Sequence, residues 1–109
     1  MSSNYHLNCH NIFIEGNVLS ASCQKRDGTW KQSSITLKGI ENNDGILEVT
    51  NPEKASSFHL TAINIAIDGD VLSATCQRND GLWNESSIVL NGIENIDGNL
   101  EYIRSPLGV

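Results

Sequence analysis

Two turns hold the densest groups of side chains that could take part in chemistry. Residues 41–45 read ENNDG and residues 94–98 read ENIDG. Each turn pairs an asparagine, which can donate and accept hydrogen bonds, with an aspartate that can accept two hydroxyl hydrogens. Such oxygen-rich groups suit the vicinal hydroxyls of a sugar or the coordination shell of Ca²⁺. Glu41 with Asp44 could also supply the two carboxylates of a glycoside hydrolase.

The surrounding sequence argues against a calcium site and against an enzyme active site. A calcium loop needs an ordered D-x-D-x-D-G spacing that neither turn has, so a Ca²⁺-binding β-repeat module is a weaker alternative. A chain of 109 residues is short for the deep cleft of a glycosidase, which argues against that enzyme class. The repeated Ser-Ser pairs at 33–34 and 86–87 have no G-x-S-x-G context for a nucleophile. We therefore expect no enzyme activity, no metal site and no cofactor.

The elements that position the two turns come from a tandem repeat. Residues 5–49 align without a gap on residues 58–102, and 27 of the 45 aligned pairs are identical. Each copy is near the lower size limit for an independent core, so the copies are expected to share one core and to carry two similar sites. The identical placement of Trp30 and Trp83 favours a core position for both.

Turn signals divide each copy into short strands. Asp-Gly pairs at 27–28, 44–45, 80–81 and 97–98 suit the positive φ angles of tight reversals. The alternating segments between the turns predict an all-β protein. The expected strands are 11–14, 18–23 and 30–36 with their repeat-mates 64–67, 71–76 and 83–89. Residues 37–40 and 90–93 are interpreted as single helical turns.

The charge and the apolar pattern exclude several classes of partner. The net charge is −6 and the seven basic residues are scattered, so we expect neither nucleic acid nor an anionic membrane as a partner. No apolar run approaches the roughly 20 residues that span a bilayer. The first residues show no secretory signal, which indicates a cytoplasmic or non-classically secreted protein, although a mature exported chain would look the same.

The three cysteines allow two readings. Cys9 and Cys23 lie 14 residues apart and could form a disulfide that leaves Cys76 as a thiol. Alternatively, all three are small buried residues in a reducing compartment. We favour the Cys9–Cys23 bridge.

The segment 50–57 is the polar stretch between the copies. Pro52 and the serines make it a linker or hinge. A hinge between two similar halves allows the halves to be exchanged between chains, so the protein is expected to be a monomer or a domain-swapped dimer.

The doubled pattern C-Q-x-x-(D)-G-x-W-x-x-S-S-I-x-L followed by I-E-N-x-D-G-x-L resembles the cyanovirin-N homologue (CVNH) family of lectins, over residues 4–102. The resemblance implies a single CVNH domain, 1–109, with strands exchanged between the repeats. Pseudo-domain A would comprise about 1–38 plus 91–103, and pseudo-domain B about 39–90. It also implies binding of high-mannose glycans through α1-2-linked mannose, without catalysis. The alternative outside the sugar-binding class is a structural or dimerising β-repeat protein.

The resemblance also assigns two carbohydrate sites. Site B would be formed by Glu41, Asn42, Asp44, Ser56, Ser57, Thr61, Gln77, Arg78 and Asn79. Site A would be formed by Asn4, Asn8, Gln24, Lys25, Arg26, Asn95, Ile96 and Asp97. The Asn-x-Asp wall matches the family in both sites, and the wall that faces it differs from the family.

Overall fold

The structure is a computed structural model that describes residue 3, residues 5–51 and residues 53–103. Two residues named in the sequence-based predictions lie outside the described residues: Asn4 of site A and Pro52 of the linker.

The described residues form ten β-strands and two short 3-10 turns, which confirms the all-β class. The first copy contains a 3-10 turn at Tyr5–Leu7 and strands β1 (Cys9–Glu15), β2 (Val18–Gln24), β3 (Trp30–Thr36), β4 (Ile40–Asn43) and β5 (Ile46–Val49). The second copy contains a 3-10 turn at Phe58–Thr61 and strands β6 (Ala62–Asp68), β7 (Val71–Gln77), β8 (Trp83–Val89), β9 (Ile93–Ile96) and β10 (Asn99–Tyr102).

Each copy makes a three-stranded antiparallel sheet and a separate hairpin. The sheets have the orders β1-β2-β3 and β6-β7-β8, and the hairpins are β4-β5 and β9-β10. Buried and partly exposed side chains alternate along the central strands. In β7, Leu72, Ala74 and Cys76 are buried, while the residues between them are partly exposed. One face of each sheet is therefore apolar and must be covered.

The hairpin of each copy covers the sheet of the other copy. In the β4-β5 hairpin, the Leu47 N–H donates to the Ser86 hydroxyl on β8 at 3.0 Å. In the β9-β10 hairpin, the Leu100 N–H donates to the Ser33 hydroxyl on β3, also at 3.0 Å. This is the strand exchange implied by the family resemblance. It also gives the repeated serines a structural role, since they hold the two copies together.

The copies share one apolar core. Its members are mostly repeat-mates, which explains why these positions are identical or conservatively replaced. The core includes the pairs Tyr5 and Phe58, Leu19 and Leu72, Ala21 and Ala74, Cys23 and Cys76, Leu37 and Leu90, Ile40 and Ile93, and Leu47 and Leu100. The molecule is elongated, with extents of 51, 32 and 17 Å.

The Cys9–Cys23 disulfide is present, as predicted. The two cysteines lie directly opposite each other on β1 and β2. At the matching position of the second sheet, Ala62 lies opposite Cys76. Cys76 is therefore a buried thiol, and its burial raises the pKa of that thiol.

The prediction that Trp30 and Trp83 lie in the core is wrong. Their side chains are 47% and 48% exposed. In β3, the partly buried residues are Ser33 and Ile35, so the period of two places residue 30 on the opposite, outer face of the sheet. There the Trp30 ring lies beside the His10 ring, with ring centroids 4.6 Å apart.

Helical turns at 37–40 and 90–93 are also absent. Gly39 and Gly92 have φ angles of 78° and 76°, which turn the chain sharply into β4 and β9 instead of continuing a helix. The 3-10 turns lie instead at the start of each copy, before β1 and β6.

The C-terminal part of the 50–57 linker is attached to the fold by its backbone. The Gly39 N–H donates to Lys54 O at 2.7 Å, and the Ser56 N–H donates to Leu37 O at 2.8 Å. The Ser56 side chain is buried, and its hydroxyl accepts the Ile40 N–H at 3.0 Å. Ser3 makes the matching contacts with Leu90 O and the Ile93 N–H.

Candidate functional site

The two acidic turns are rigid two-residue hairpin loops. Asp44 and Gly45 have φ angles of 51° and 89°, and Asp97 and Gly98 have φ angles of 49° and 88°. Positive φ at both loop positions is the geometry for which Asp-Gly is favoured, because aspartate tolerates this region and glycine adopts it freely. Each aspartate is thereby held at the exposed tip of a hairpin.

An asparagine supports each turn from within. The side-chain oxygen of Asn42 accepts the Gly45 N–H at 2.8 Å, and that of Asn95 accepts the Gly98 N–H at 2.7 Å. Both residues therefore fix the shape of the turn, a role that the sequence alone did not reveal.

The same asparagines attach the turns to the other copy. The Asn42 amide donates to the Thr61 hydroxyl and to Gln77 O, both at 2.9 Å. In the second turn, the Asn95 amide donates to Asn8 Oδ1 at 3.1 Å and to Gln24 O at 2.9 Å. These side-chain amides are occupied within the protein, so Asn42 and Asn95 position the site.

The aspartates bridge the turns to the facing loops. One carboxylate oxygen of Asp44 accepts the Asn79 N–H at 2.8 Å, and one oxygen of Asp97 accepts the Arg26 N–H at 2.9 Å. Among the described residues, nothing donates to the second oxygen of either carboxylate. Each aspartate thus has one anchored oxygen and one oxygen available to a ligand.

We call the two resulting surfaces crevice B and crevice A. Crevice B lies between residues 41–45 and residues 77–82, and crevice A lies between residues 94–98 and residues 24–29. A side chain at Gly45 would come within 2.6 Å of Arg78 Cγ, and one at Gly98 within 2.7 Å of Lys25 Cγ. Turn and facing loop are therefore packed closely at the glycine.

The facing loops have the same backbone and different side-chain contacts. In crevice B, Arg78 N donates to Leu82 O at 2.7 Å, and its guanidinium pairs with Asp80 at 3.2 Å. In crevice A, Asp27 accepts both the Thr29 hydroxyl, at 2.6 Å, and the Thr29 N–H. The hydrogen bond from the Thr29 hydroxyl has the larger effect on the pKa of the Asp27 carboxyl, and the bond from the Thr29 N–H comes next. Both lower this pKa below its usual range.

The structure brings most of the predicted site residues together. Crevice B joins Asn42, Asp44, Thr61, Gln77, Arg78 and Asn79. Crevice A joins Asn8, Gln24, Lys25, Arg26, Asn95 and Asp97, with Ile96 inside the turn.

Three predicted members of site B lie beside the crevice or beneath it. The Glu41 carboxylate accepts the Thr50 hydroxyl at 2.8 Å, at the side of the hairpin. The Ser57 N–H donates to Ile40 O at 3.1 Å, next to the start of β4. Ser56 is 3% exposed and its hydroxyl is used by the Ile40 N–H, so it supports the chain and presents no hydroxyl to solvent.

Two residues that the sequence analysis did not select also form the crevices. The Asn84 amide on β8 donates to Gly45 O at 2.8 Å, and the Lys31 ammonium on β3 donates to Asn99 Oδ1 at 2.6 Å. They are repeat-mates that follow the tryptophans. The feature that could have identified these two residues is the strand exchange. It places the start of β3 under the second turn and the start of β8 under the first.

Two other structural features are absent from the described residues. No group of three or more His, Cys, Asp or Glu side chains is arranged to hold a metal ion. In the same part of the chain, no helix has the length and apolar character needed to cross a membrane.

Comparisons with known proteins place the chain next to a set of lectins. The CVNH domain matches residues 5–101. This chain is 33% identical in sequence to microvirin in its solved complex with mannobiose. The TM-score is 0.71, and the match covers 92% of this chain and 98% of the microvirin chain. The CVNH of Gibberella zeae is 31% identical, with a TM-score of 0.69 and coverage of 92% and 97%. The CVNH of T. borchii is 28% identical, with a TM-score of 0.76 and coverage of 94% and 99%.

Proposed function

The chain belongs to the CVNH family, and from that premise we propose that it is a non-catalytic lectin. The ligand we propose is a mannose-containing glycan, recognised at the α1-2-linked mannose units of high-mannose chains. Binding would take place at one or both crevices. The mannobiose complex of microvirin, 33% identical over 92% of this chain, supports a mannose ligand.

The observation that carries the proposal is the half-anchored aspartate. Asp44 is held by the Asn79 N–H at one oxygen and exposes the other at the tip of a rigid turn. An acceptor that is fixed before the ligand arrives loses little conformational entropy on binding. The hydroxyls of a sugar supply the donors that such an acceptor needs.

The remaining groups around Asp44 complete a surface of short polar contacts. Arg78 and the amide of Asn79 can donate to sugar oxygens, and Thr61 and Gln77 are exposed next to Asn42. Asn42 keeps turn and wall together without contacting the sugar. Crevice A would use Asp97, Asn8, Gln24, Lys25 and Arg26 in the corresponding places.

The expected affinity of one crevice is weak. Hydrogen bonds to charged groups contribute about 1.5–3 kcal/mol each, and the desolvation of exposed polar groups offsets much of this. Two crevices on one molecule would raise the avidity for a branched glycan without any new contact. In our proposal, crevice B belongs to pseudo-domain B, about 39–90, and crevice A to pseudo-domain A, about 1–38 plus 91–103.

An amide chemical-shift titration with α1-2-linked dimannoside tests this function. We expect shifts at 41–44 and 77–81, with a weaker set at 95–97 and 24–27. The β-linked dimannoside is the control, because it keeps the hydroxyl groups and changes their arrangement. If no amide resonance moves with any mannoside, the proposed mannose ligand is wrong, and if none moves with any saccharide, the alternative of a structural β-repeat protein replaces the lectin.

A further inference from the structure

The two crevices differ in charge although their backbones match. Crevice A contains Lys25, Arg26 and Lys31, and the corresponding residues in crevice B are Arg78, Asn79 and Asn84. The divergence therefore replaces two neutral amides by two cations at the same places in the fold. Three of the seven basic residues of an acidic chain lie in crevice A.

The three cationic residues all contact one hairpin. The Lys25 side chain packs on Gly98, and Lys31 approaches the same glycine from β3 while its ammonium reaches Asn99 at 2.6 Å. The Arg26 N–H binds Asp97, and the Arg26 side chain is exposed beside it. The positive charge is thus placed around the aspartate that we propose as a sugar acceptor.

An ion pair in crevice B increases the difference in available positive charge between the two crevices. In crevice B, Arg78 is paired with Asp80 at 3.2 Å. Within the described residues, this is the one salt bridge, so none of the cations of crevice A is neutralised by direct pairing. Lys25 is near enough to Asp27 to help lower the pKa of that carboxyl, after the larger effect of Thr29, but the two groups form no ion pair.

The charge count follows the same pattern. Three cations stand with three carboxylates, Asp27, Glu94 and Asp97, in crevice A, whereas Arg78 alone stands with Glu41, Asp44 and Asp80 in crevice B. A neutral sugar needs acceptors for its hydroxyl hydrogens as well as donors, and lysine and arginine only donate. Unpaired lysine and arginine donors fit a carboxylate or sulfate oxygen better than a neutral hydroxyl.

We propose that crevice A binds a saccharide that carries a carboxylate or a sulfate group, while crevice B takes the neutral mannoside. This inference rests on the proposed lectin function and names the ligand class of its second site. The anionic group would bind Arg26 and Lys31, and the second oxygen of Asp97 would accept a hydroxyl of the same sugar.

The repeat supplies the variants for a test. Arg26→Asn with Lys31→Asn gives crevice A the residues that the second copy already carries at these places, so the fold is expected to accept them. Asn79→Arg with Asn84→Lys makes the reciprocal change in crevice B. Lys38→Gln with Lys54→Gln also removes two positive charges, but at positions outside the crevices. This variant controls for the change in net charge.

The ligands are matched pairs that differ in the anionic group alone. Methyl glucuronide is compared with methyl glucoside, and N-acetylglucosamine 6-sulfate with N-acetylglucosamine, by amide chemical-shift titration. We expect the acidic member to bind crevice A about tenfold more tightly, as for one charge-assisted hydrogen bond. The Arg26→Asn/Lys31→Asn variant should remove this preference, the reciprocal variant should create it at 41–45 and 77–81, and added salt should weaken it.

The outcomes separate this inference from the proposed function. If the dimannoside shifts crevice B while acidic and neutral sugars act equally on crevice A, the inference is overturned and the lectin function stands. If inorganic sulfate alone reproduces the shifts at the same concentration, the crevice binds an anion and the saccharide claim is overturned. If acidic sugars bind crevice A and no mannoside binds anywhere, the charge assignment stands and the mannose preference is wrong.

Discussion

One carboxylate oxygen of Asp44 accepts the backbone N–H of Asn79 at 2.8 Å, across 35 residues of sequence. The bond joins a turn of the first copy to a loop of the second. Its repeat-mate joins Asp97 to the Arg26 N–H at 2.9 Å, across 71 residues. Each crevice is therefore made of both copies, and neither copy alone could form one.

Asp44→Ala should abolish mannoside binding at crevice B. The change removes the available acceptor oxygen and the anchor of the facing loop, so the dimannoside shifts at 41–44 and 77–81 should disappear. We expect a stability loss of about 1 kcal/mol, since the anchoring bond lies at the surface. Calorimetric and chemical-shift titrations measure the binding, and urea unfolding measures the stability.

Two variants make the Asp44 test specific. Asp44→Asn keeps an oxygen for the Asn79 N–H and removes the charge, so the loop should stay in place while the affinity falls. Asp97→Ala is the matched change in crevice A and should leave the shifts at 41–44 intact. Unchanged dimannoside affinity in Asp44→Ala would show that the crevice is not the binding site.

Asn42→Ala should reduce stability more than Asp44→Ala does. The Asn42 side chain makes hydrogen bonds to the Thr61 hydroxyl, Gln77 O and the Gly45 N–H. Their loss removes two hydrogen bonds at the surface and leaves the partly buried Gly45 N–H unpaired, and we expect a cost of about 2 kcal/mol. Urea unfolding monitored by tryptophan fluorescence provides the measurement.

The neighbouring Asn43 provides the control for this prediction. Asn43 is exposed, bonds to Glu48 on its own hairpin, and is replaced by Ile96 in the second copy. Asn43→Ala should therefore change the free energy of unfolding by less than about 0.5 kcal/mol, as is usual for surface positions. Equal losses in the two variants would contradict the positioning role of Asn42.

Much of this architecture follows from local sequence. Alternation predicted the long strands, Asp-Gly predicted the reversals, and the cysteine spacing allowed the observed bridge. Trp30 was misassigned because identity between copies indicates a shared role without indicating which face of a strand bears it. The roles of Asn42 and Lys31 could not be derived from local pattern, because their partners come from the other copy and depend on the strand exchange.

Ala62→Cys should create a second disulfide, with Cys76. Ala62 lies opposite Cys76 in the same register that places Cys9 opposite Cys23. A bridge closing a loop of this length stabilises a domain by about 3 kcal/mol in the chain-entropy model. We expect the melting temperature to rise and the thiol count of the denatured protein to fall from one to none.

Ala62→Ser is the control for the disulfide, since it has a similar size and forms no bridge. It should keep one thiol after denaturation and show no increase in melting temperature. Two reactive thiols in denatured, non-reduced Ala62→Cys would show that the two sheets differ at this position despite their common register.

Ser56→Ala tests whether the attached linker keeps the protein monomeric. The Ser56 hydroxyl accepts the Ile40 N–H at 3.0 Å, and both residues are buried, so its removal leaves a donor unpaired at a cost of about 1–3 kcal/mol. Because the linker connects two similar halves, loosening it should favour exchange of halves between chains. We therefore expect a monomeric wild type and a raised dimer fraction in the variant, measured by sedimentation equilibrium.

Ser57→Ala is the control, since it keeps the hydroxyl of Ser56 and should remain monomeric with near wild-type stability. An equal dimer fraction in both variants would show that the linker contact does not control the oligomeric state.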